Sequence, residues 1–128
     1  MEQQGEAVSV ETAEVRGVQV LRVSGEIDMG TSEVVRQEVL VWLDTTTSTS
    51  VLDLSGVTFL SSSGLALLIE AAQHAQRCGT TFVIVAGHRA VLRALRITNL
   101  DEVFTVHPDL DRAVDALRGA AAVTTSPE

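Results

Sequence analysis

Hydrophobic positions along the chain change their period from one segment to the next, and each period predicts one type of element. Residues 7–12 and 18–23 alternate between apolar and polar positions around a turn signal at Arg16-Gly17, which predicts an antiparallel hairpin. Four later segments have apolar residues at helical spacing, and each predicts an amphipathic helix. These residues are Val35, Val39, Trp42 and Leu43; Leu65, Leu68, Ile69 and Ala72; Val91, Leu92 and Leu95; and Leu110, Ala113, Val114 and Leu117.

Short apolar runs between these helices predict three further strands, at residues 51–54, 80–85 and 102–106. The resulting order is β-β-α-β-α-β-α-β-α. Alternating strands and helices favour right-handed crossovers and parallel pairing, whereas the first two strands pair antiparallel. We therefore predict an α/β fold: one mixed central sheet with an N-terminal antiparallel hairpin, β-α-β crossovers and four α-helices.

Length and composition indicate a single domain, and the net charge argues against two classes of binding partner. The chain has 128 residues, 45 % hydrophobic residues and a net charge of −8. This charge argues against direct binding to nucleic acid phosphates or to an anionic membrane surface. We expect the domain to span residues 8–118, between an N-terminal tail at 1–7 and a flexible C-terminal tail at 119–128.

The sequence features that indicate cellular location are the N-terminus, the apolar runs and the cysteine content. The first ten residues lack the basic and apolar regions of a signal peptide, and no apolar run approaches the ~20 residues of a membrane span. Cys78 is the one cysteine, so no disulfide can form within the chain. We expect a cytoplasmic protein in which Cys78 is a small apolar side chain.

Three consecutive hydroxyl residues, Ser61-Ser62-Ser63, precede Gly64 at the start of the second helix. Serine oxygens there can accept hydrogen bonds from unpaired helix amides, so an N-cap is the plainest interpretation. A nucleophile on a strand-turn-helix elbow would need Gly-x-Ser-x-Gly, but Gly56 is too distant and His74 lies about three turns along the helix. A phosphorylation site also fits, because a helix N-terminus accommodates an anion.

The serines lie within residues 53–65, DLSGVTFLSSSGL, which resemble the central signature of the STAS family. The tetrapeptide Gly25-Glu26-Ile27-Asp28 resembles the second recognisable stretch of that family, and the order of elements is also similar. The resemblance covers about residues 8–118. It implies the STAS fold and, in the anti-sigma factor antagonist class, a regulatory binding protein without enzymatic activity or cofactor.

The resemblance also implies partners and site residues. Antagonists of this class bind an anti-sigma factor that is a serine kinase, release a sigma factor, and are switched off by serine phosphorylation; a serine phosphatase reverses the switch. Alignment on Gly64 assigns the phosphate to Ser62 rather than Ser61 or Ser63, and Ser61 occupies the position of the usual aspartate. The implied partner-binding residues are Glu26, Asp28, Ser61, Ser62, Ser63, Gly64 and Leu65. An alternative is a STAS scaffold subunit, not phosphorylated, of a transporter or larger signalling assembly.

Other polar clusters allow weaker inferences. Arg89, Arg93 and Arg96 form a basic stripe on the third helix, either a solvated face or the edge of a partner contact. Glu26 and Asp28 have no companions at metal-ligand spacing, so we expect no metal and assign them to positioning the loop and meeting basic groups of the partner.

Overall fold

The computed structural model describes residues 8–46 and 48–125, and the predicted tail at 1–7 lies outside them. The described residues form five strands and four α-helices in the predicted order. These are β1 Val8–Val15, β2 Val18–Ile27, α1 Ser32–Thr45, β3 Ser50–Leu60, α2 Ser62–Cys78, β4 Phe82–Val85, α3 Arg89–Ile97, β5 Val106–His107 and α4 Leu110–Thr125.

The strands form one mixed sheet in the order β1-β2-β3-β4-β5, which confirms the predicted fold class. β1 and β2 pair antiparallel, and the remaining neighbours pair parallel. The hairpin turns at Arg16 and Gly17, whose φ angles are 50° and 84°. Both angles are positive, as a tight two-residue hairpin turn requires.

Helices cover both faces of the sheet. On one face, α1, α2 and α3 bury their apolar stripes against β2, β3 and β4, and Trp42 of α1 lies in this core as predicted. On the other face, Ala113 and Val114 of α4 pack on a smaller cluster of valines from β2, β3 and β4. The four residues of β4 are buried because both of its faces are covered, which is typical of a parallel strand.

Local backbone and capping residues define several helix boundaries. Gly79 ends α2 with a φ of 77°, and Asn99 follows α3 with a φ of 62°, both in the left-handed region. The carboxylate of Asp109 accepts a hydrogen bond of 2.8 Å from the amide of Arg112 and caps α4.

Two strands differ from the sequence prediction. β3 extends to Leu60 instead of ending near residue 54, because it stays paired with β2 across two register shifts, one between Arg22 and Ser24 and one between Gly25 and Glu26. The predicted strand at 102–106 is wrong by several residues: Leu100–Glu102 is a 3₁₀ turn, and the strand is Val106–His107. Burial of the Leu100 side chain draws this turn inward.

The last helix overlaps the predicted C-terminal tail. α4 is described through Thr125, whereas the flexible tail predicted at 119–128 remains a prediction. The sequence of this part contains a run of alanines, the strongest helix former, which explains the continuation. Residues 126–128 lie outside the described residues, and the domain limits remain predictions.

Candidate functional site

The serine turn, residues 61–64, joins the end of β3 to the start of α2. Ser61 is the N-cap residue, with extended backbone, and its hydroxyl oxygen accepts a hydrogen bond from the amide of Gly64 at 3.3 Å. The same hydroxyl lies 2.8 Å from the hydroxyl of Ser63. The capping interpretation of the sequence is therefore realised by Ser61, with Ser63 as its hydrogen-bond partner.

Ser62 differs from its two neighbours. It is the first residue of α2, its side chain is exposed, and its hydroxyl forms no hydrogen bond with any described residue. Ser61 and Ser63 are partly buried, and their hydroxyls are paired with each other. Of the three hydroxyls, that of Ser62 is the one that a second protein can reach without breaking the cap.

Gly64 lets α2 approach the ends of β2 and β3 very closely. A Cβ atom at this position would lie 2.6 Å from Leu60 Cδ1, closer than real Cβ contacts, and 3.0 Å from Ile27 Cγ2, which is tighter than most of them. The amide of Ser61 donates a 2.9 Å hydrogen bond to the carbonyl oxygen of Ile27. These contacts hold the serine turn against the loop that follows β2.

That loop, residues 28–31, is organised by Asp28 and Thr31. Asp28 Oδ1 accepts hydrogen bonds from the amides of Gly30 and Thr31 at 2.9 and 3.0 Å. The buried hydroxyl of Thr31 donates to the carbonyl oxygen of Glu26 at 2.7 Å and accepts from the amide of Asp28 at 2.9 Å. Asp28 is thus engaged in local structure, whereas the side chain of Glu26 is exposed.

The outer face of α2 next to the serine turn is apolar. Ser62, Leu65 and Ile69 lie at i, i+3 and i+7, so they share one side of the helix. Leu65 is partly buried against the core, and Ile69 is 43 % exposed, which corrects its predicted place in the core face. The residues of α2 that are buried are Gly64, Leu67, Leu68, Ala71 and Ala75.

Two more large apolar side chains are exposed on the segments next to the serine turn, namely β3, which leads into it, and the loop after β2, which begins beside the Ile27 carbonyl that Ser61 contacts. Met29, in the loop after β2, is 85 % exposed, and Phe59, near the end of β3, is 45 % exposed. Phe59 is the direct neighbour of Glu26 in the pairing of β2 with β3. Met29, Phe59 and Ile69 thus add exposed apolar area to the segments that carry or contact the serine turn, and exposed apolar area is typical of protein interfaces.

An ion pair connects the middle of α2 to α1. The guanidinium of Arg36 binds the carboxylate of Glu70 through two hydrogen bonds, of 2.8 and 2.7 Å. The hydrogen bond from Arg36 is the main cause of a lowered pKa at Glu70, and the same contact raises the pKa of Arg36. This bidentate pair links the two helices on the protein surface.

At the far end of α2, His74 and Cys78 meet Asp44 of α1. His74 Nε2 lies 2.7 Å from Asp44 Oδ1, and the Cys78 thiol donates to the same oxygen at 3.5 Å. The hydrogen bond from His74 lowers the pKa of Asp44, while partial desolvation and Asp44 raise the pKa of Cys78. Cys78, which we expected to act as a small apolar side chain, is exposed and hydrogen-bonded to a carboxylate.

The other polar residues singled out from the sequence lie on α3. Arg89, Arg93 and Arg96 are exposed, and none of them forms an ion pair with a described residue. His88 caps this helix, since its Nδ1 accepts a hydrogen bond from the amide of Ala90 at 3.1 Å. His74, engaged with Asp44, is 12 residues from Ser62, or about 18 Å along the helix.

Within residues 8–46 and 48–125, we find no helix with the length and apolarity needed to cross a bilayer.

A mixed five-stranded sheet, four helices and a serine turn beside the loop after β2 define a small STAS-type domain. The sequence model of the STAS domain family matches residues 9–113, and the chain belongs to this family. The match includes both stretches on which the resemblance was based.

Individual relatives agree with this assignment. The anti-sigma-F factor antagonist RsfB of Mycobacterium tuberculosis is 30 % identical over 116 residues, which cover 89 % of this chain and 93 % of RsfB. An anti-sigma factor antagonist from Mycobacterium paratuberculosis is 34 % identical in its crystal structure, with a TM-score of 0.81 and coverage of 88 % and 96 % of the two chains.

The same fold occurs within a much larger protein. The murine anion transporter Slc26a9 superposes with a TM-score of 0.70 at 23 % identity, covering 84 % of this chain but 18 % of the transporter. At this identity the likeness shows the fold alone.

Proposed function

We propose that this protein is an anti-sigma factor antagonist: it binds a kinase-type anti-sigma factor, releases a sigma factor, and is switched off by phosphorylation of Ser62. The role rests on the similarity to RsfB over 89 % of the chain. The observation that carries the switch is the exposed, unpaired hydroxyl of Ser62 between two hydroxyls that are occupied by the cap.

The helix N-terminus makes phosphorylation compatible with the fold. A phosphate on Ser62 would bring about −1.5 to −2 charges next to the first turn of α2, where unpaired amides and the positive end of the helix dipole favour an anion. Fold stability should therefore change by only about 0.3–1 kcal/mol, in the favourable direction. The modification changes the surface charge without loosening the domain.

The surface around Ser62 supplies the binding area in this proposal. Leu65 and Ile69 on α2, with Met29 and Phe59, would be covered by the anti-sigma factor, and the exposed carboxylate of Glu26 would meet its basic groups. Asp28 acts by holding the loop through its hydrogen bonds. A phosphate placed beside this surface brings a desolvated charge into the interface, which costs several kcal/mol.

Ser61 stands where the family resemblance implies an aspartate, and its geometry explains how the turn tolerates the change. Serine and aspartate are about equally good N-caps, and Ser61 makes the capping bond to the Gly64 amide. The turn therefore keeps its shape and loses one negative charge. We propose that kinase recognition in this protein depends on the shape of the turn rather than on that carboxylate.

A kinase assay on the full chain tests the acceptor. The anti-sigma factor kinase that co-purifies with the protein is incubated with ATP and with wild type, Ser61→Ala, Ser62→Ala or Ser63→Ala, and the phosphate is located by peptide mass spectrometry. We expect one phosphate in all proteins except Ser62→Ala. Phosphate on Ser61 or Ser63 would refute the assignment of Ser62, and recovery of transporter subunits alone would favour the scaffold function.

A further inference from the structure

Three metal-ligating side chains of different chemistry meet where α1 and α2 end. Asp44 is near the end of α1, and His74 and Cys78 lie one turn apart on α2. One ligand atom from each residue lies within 4.8 Å of the other two. This cluster is far from the serine turn, since Cys78 is 16 residues, or about 24 Å, along α2 from Ser62.

The spacing of these atoms is close to that of a metal site. Zinc binds sulfur at about 2.3 Å, and imidazole nitrogen and carboxylate oxygen at about 2.0–2.2 Å, so tetrahedral ligand atoms are about 3.3–3.6 Å apart. The Cys78 Sγ–Asp44 Oδ1 distance is 3.5 Å, and the His74 Nε2–Asp44 Oδ1 distance is 2.7 Å. For all three atoms to reach one ion, the His74–Asp44 distance must widen by about 0.6 Å, and the Cys78 and His74 ligand atoms already lie within 4.8 Å of each other.

The positions of His74 and Cys78 on α2 also allow both side chains to bind the same metal ion. Residues at i and i+4 lie on one face of a helix, and this spacing places two side chains on one zinc ion in known helical metal motifs. Asp44 adds a third ligand from the neighbouring helix, which the Arg36–Glu70 pair links to α2. Both contributing helices also pack in the same hydrophobic core, through Val35, Val39 and Leu43 of α1 and Leu67, Leu68 and Ala71 of α2.

We propose that Asp44, His74 and Cys78 form a binding site for a divalent transition metal, with Zn²⁺ as the ion that best fits the donor set. Thiolate and imidazole ligands select such metals over Mg²⁺ and Ca²⁺, which prefer all-oxygen sites. Three protein ligands leave a fourth position for water or for a group from another molecule.

Proton release accompanies binding. The Cys78 thiol must lose its proton, and His74 must carry its remaining proton on Nδ1 so that Nε2 faces the ion. The carboxylate of Asp44 exchanges its hydrogen bonds with His74 and Cys78 for the metal. An ion here would tie the end of α1 to the end of α2.

Metal titration of the full chain, freed of any purification tag and of metal, tests the site. Zn²⁺ affinity is measured by competition with a chromophoric chelator, and Co²⁺ is added separately to look for thiolate-to-metal charge transfer. The variants are Cys78→Ser, His74→Gln and Asp44→Asn. His88→Asn is the matched control, because it removes an imidazole elsewhere while asparagine preserves the cap of α3.

We expect one Zn²⁺ per chain and a thiolate–Co²⁺ absorption band. Each of the three variants should bind Zn²⁺ at least ~10- to 100-fold more weakly, because this is the loss seen even when a residue that only hydrogen-bonds to a metal ligand is replaced. Wild type and His88→Asn should gain about 5–10 °C in Tm at ~100-fold excess of Zn²⁺ over Kd, and Cys78→Ser should not. No binding, equal affinity of wild type and Cys78→Ser, or Co²⁺ binding without the thiolate band would each overturn the proposal.

Discussion

Replacing Gly64 with alanine tests the close approach of α2 to the strand ends. The added Cβ would lie 2.6 Å from Leu60 Cδ1 and 3.0 Å from Ile27 Cγ2, well inside the ~3.5–4.0 Å of carbon atoms in contact. Overpacking costs about 1–3 kcal/mol, and alanine regains up to about 1 kcal/mol of helix propensity. We expect Gly64→Ala to lower the free energy of unfolding by about 0–3 kcal/mol.

A double-mutant cycle isolates the steric term from the propensity term. Leu60→Val removes the Cδ atoms that the new methyl group would meet, so Gly64→Ala should cost about 1 kcal/mol less in that background. Urea unfolding followed by the fluorescence of Trp42, which is 5 % exposed, gives all four free energies.

Gly119→Ala is the matched control for helix propensity. A Cβ atom at Gly119 would meet nothing within 4 Å, so this change should raise the free energy of unfolding by up to about 1 kcal/mol. The packing argument would be refuted if Gly64→Ala stabilised the protein as much as Gly119→Ala, or if its effect were the same with leucine and with valine at position 60.

Three further changes test the hydrogen bonds and charges that shape the site. Ser61→Ala should cost about 0.5–2 kcal/mol of stability through the lost cap, whereas Ser61→Asp should keep it, as thermal melts will show. Thr31→Val leaves buried backbone partners unpaired and should cost about 1–3 kcal/mol in the same assay. Because Arg36 lowers the pKa of Glu70, stability from this pair is present above the ordinary glutamate pKa and lost as pH falls through the lowered value. In urea unfolding at a series of pH values, Glu70→Gln should therefore lose less unfolding free energy than wild type as the pH falls through this range.

The order of elements could be predicted from the sequence because its signals are local. Period-two and helical spacing separate strands from helices, and Gly79, Asn99 and Asp109 mark helix ends by their own backbone or capping chemistry. The serine turn was predicted for the same reason, since capping involves residues within three positions of each other.

Features that depend on distant neighbours were missed. The length of β3 depends on its pairing with β2, and the buried face of α2 depends on the elements packed against it, so Ile69 was wrongly placed in the core. The cluster of Asp44, His74 and Cys78 could not be seen, because the fold brings together residues 30 or more positions apart. Only the His74–Cys78 spacing gives a signal in the sequence.

Binding of the anti-sigma factor kinase to unmodified protein and to protein phosphorylated on Ser62, measured by titration calorimetry, tests the central claim most directly. A switch from ~90 % to ~10 % bound at fixed free partner requires an affinity loss of about 80-fold, or roughly 2.6 kcal/mol. We predict at least this loss on phosphorylation, with a Tm within a few degrees of the unmodified protein. Equal affinity of the two forms, or a loss of binding that coincides with unfolding, would contradict the proposed surface switch.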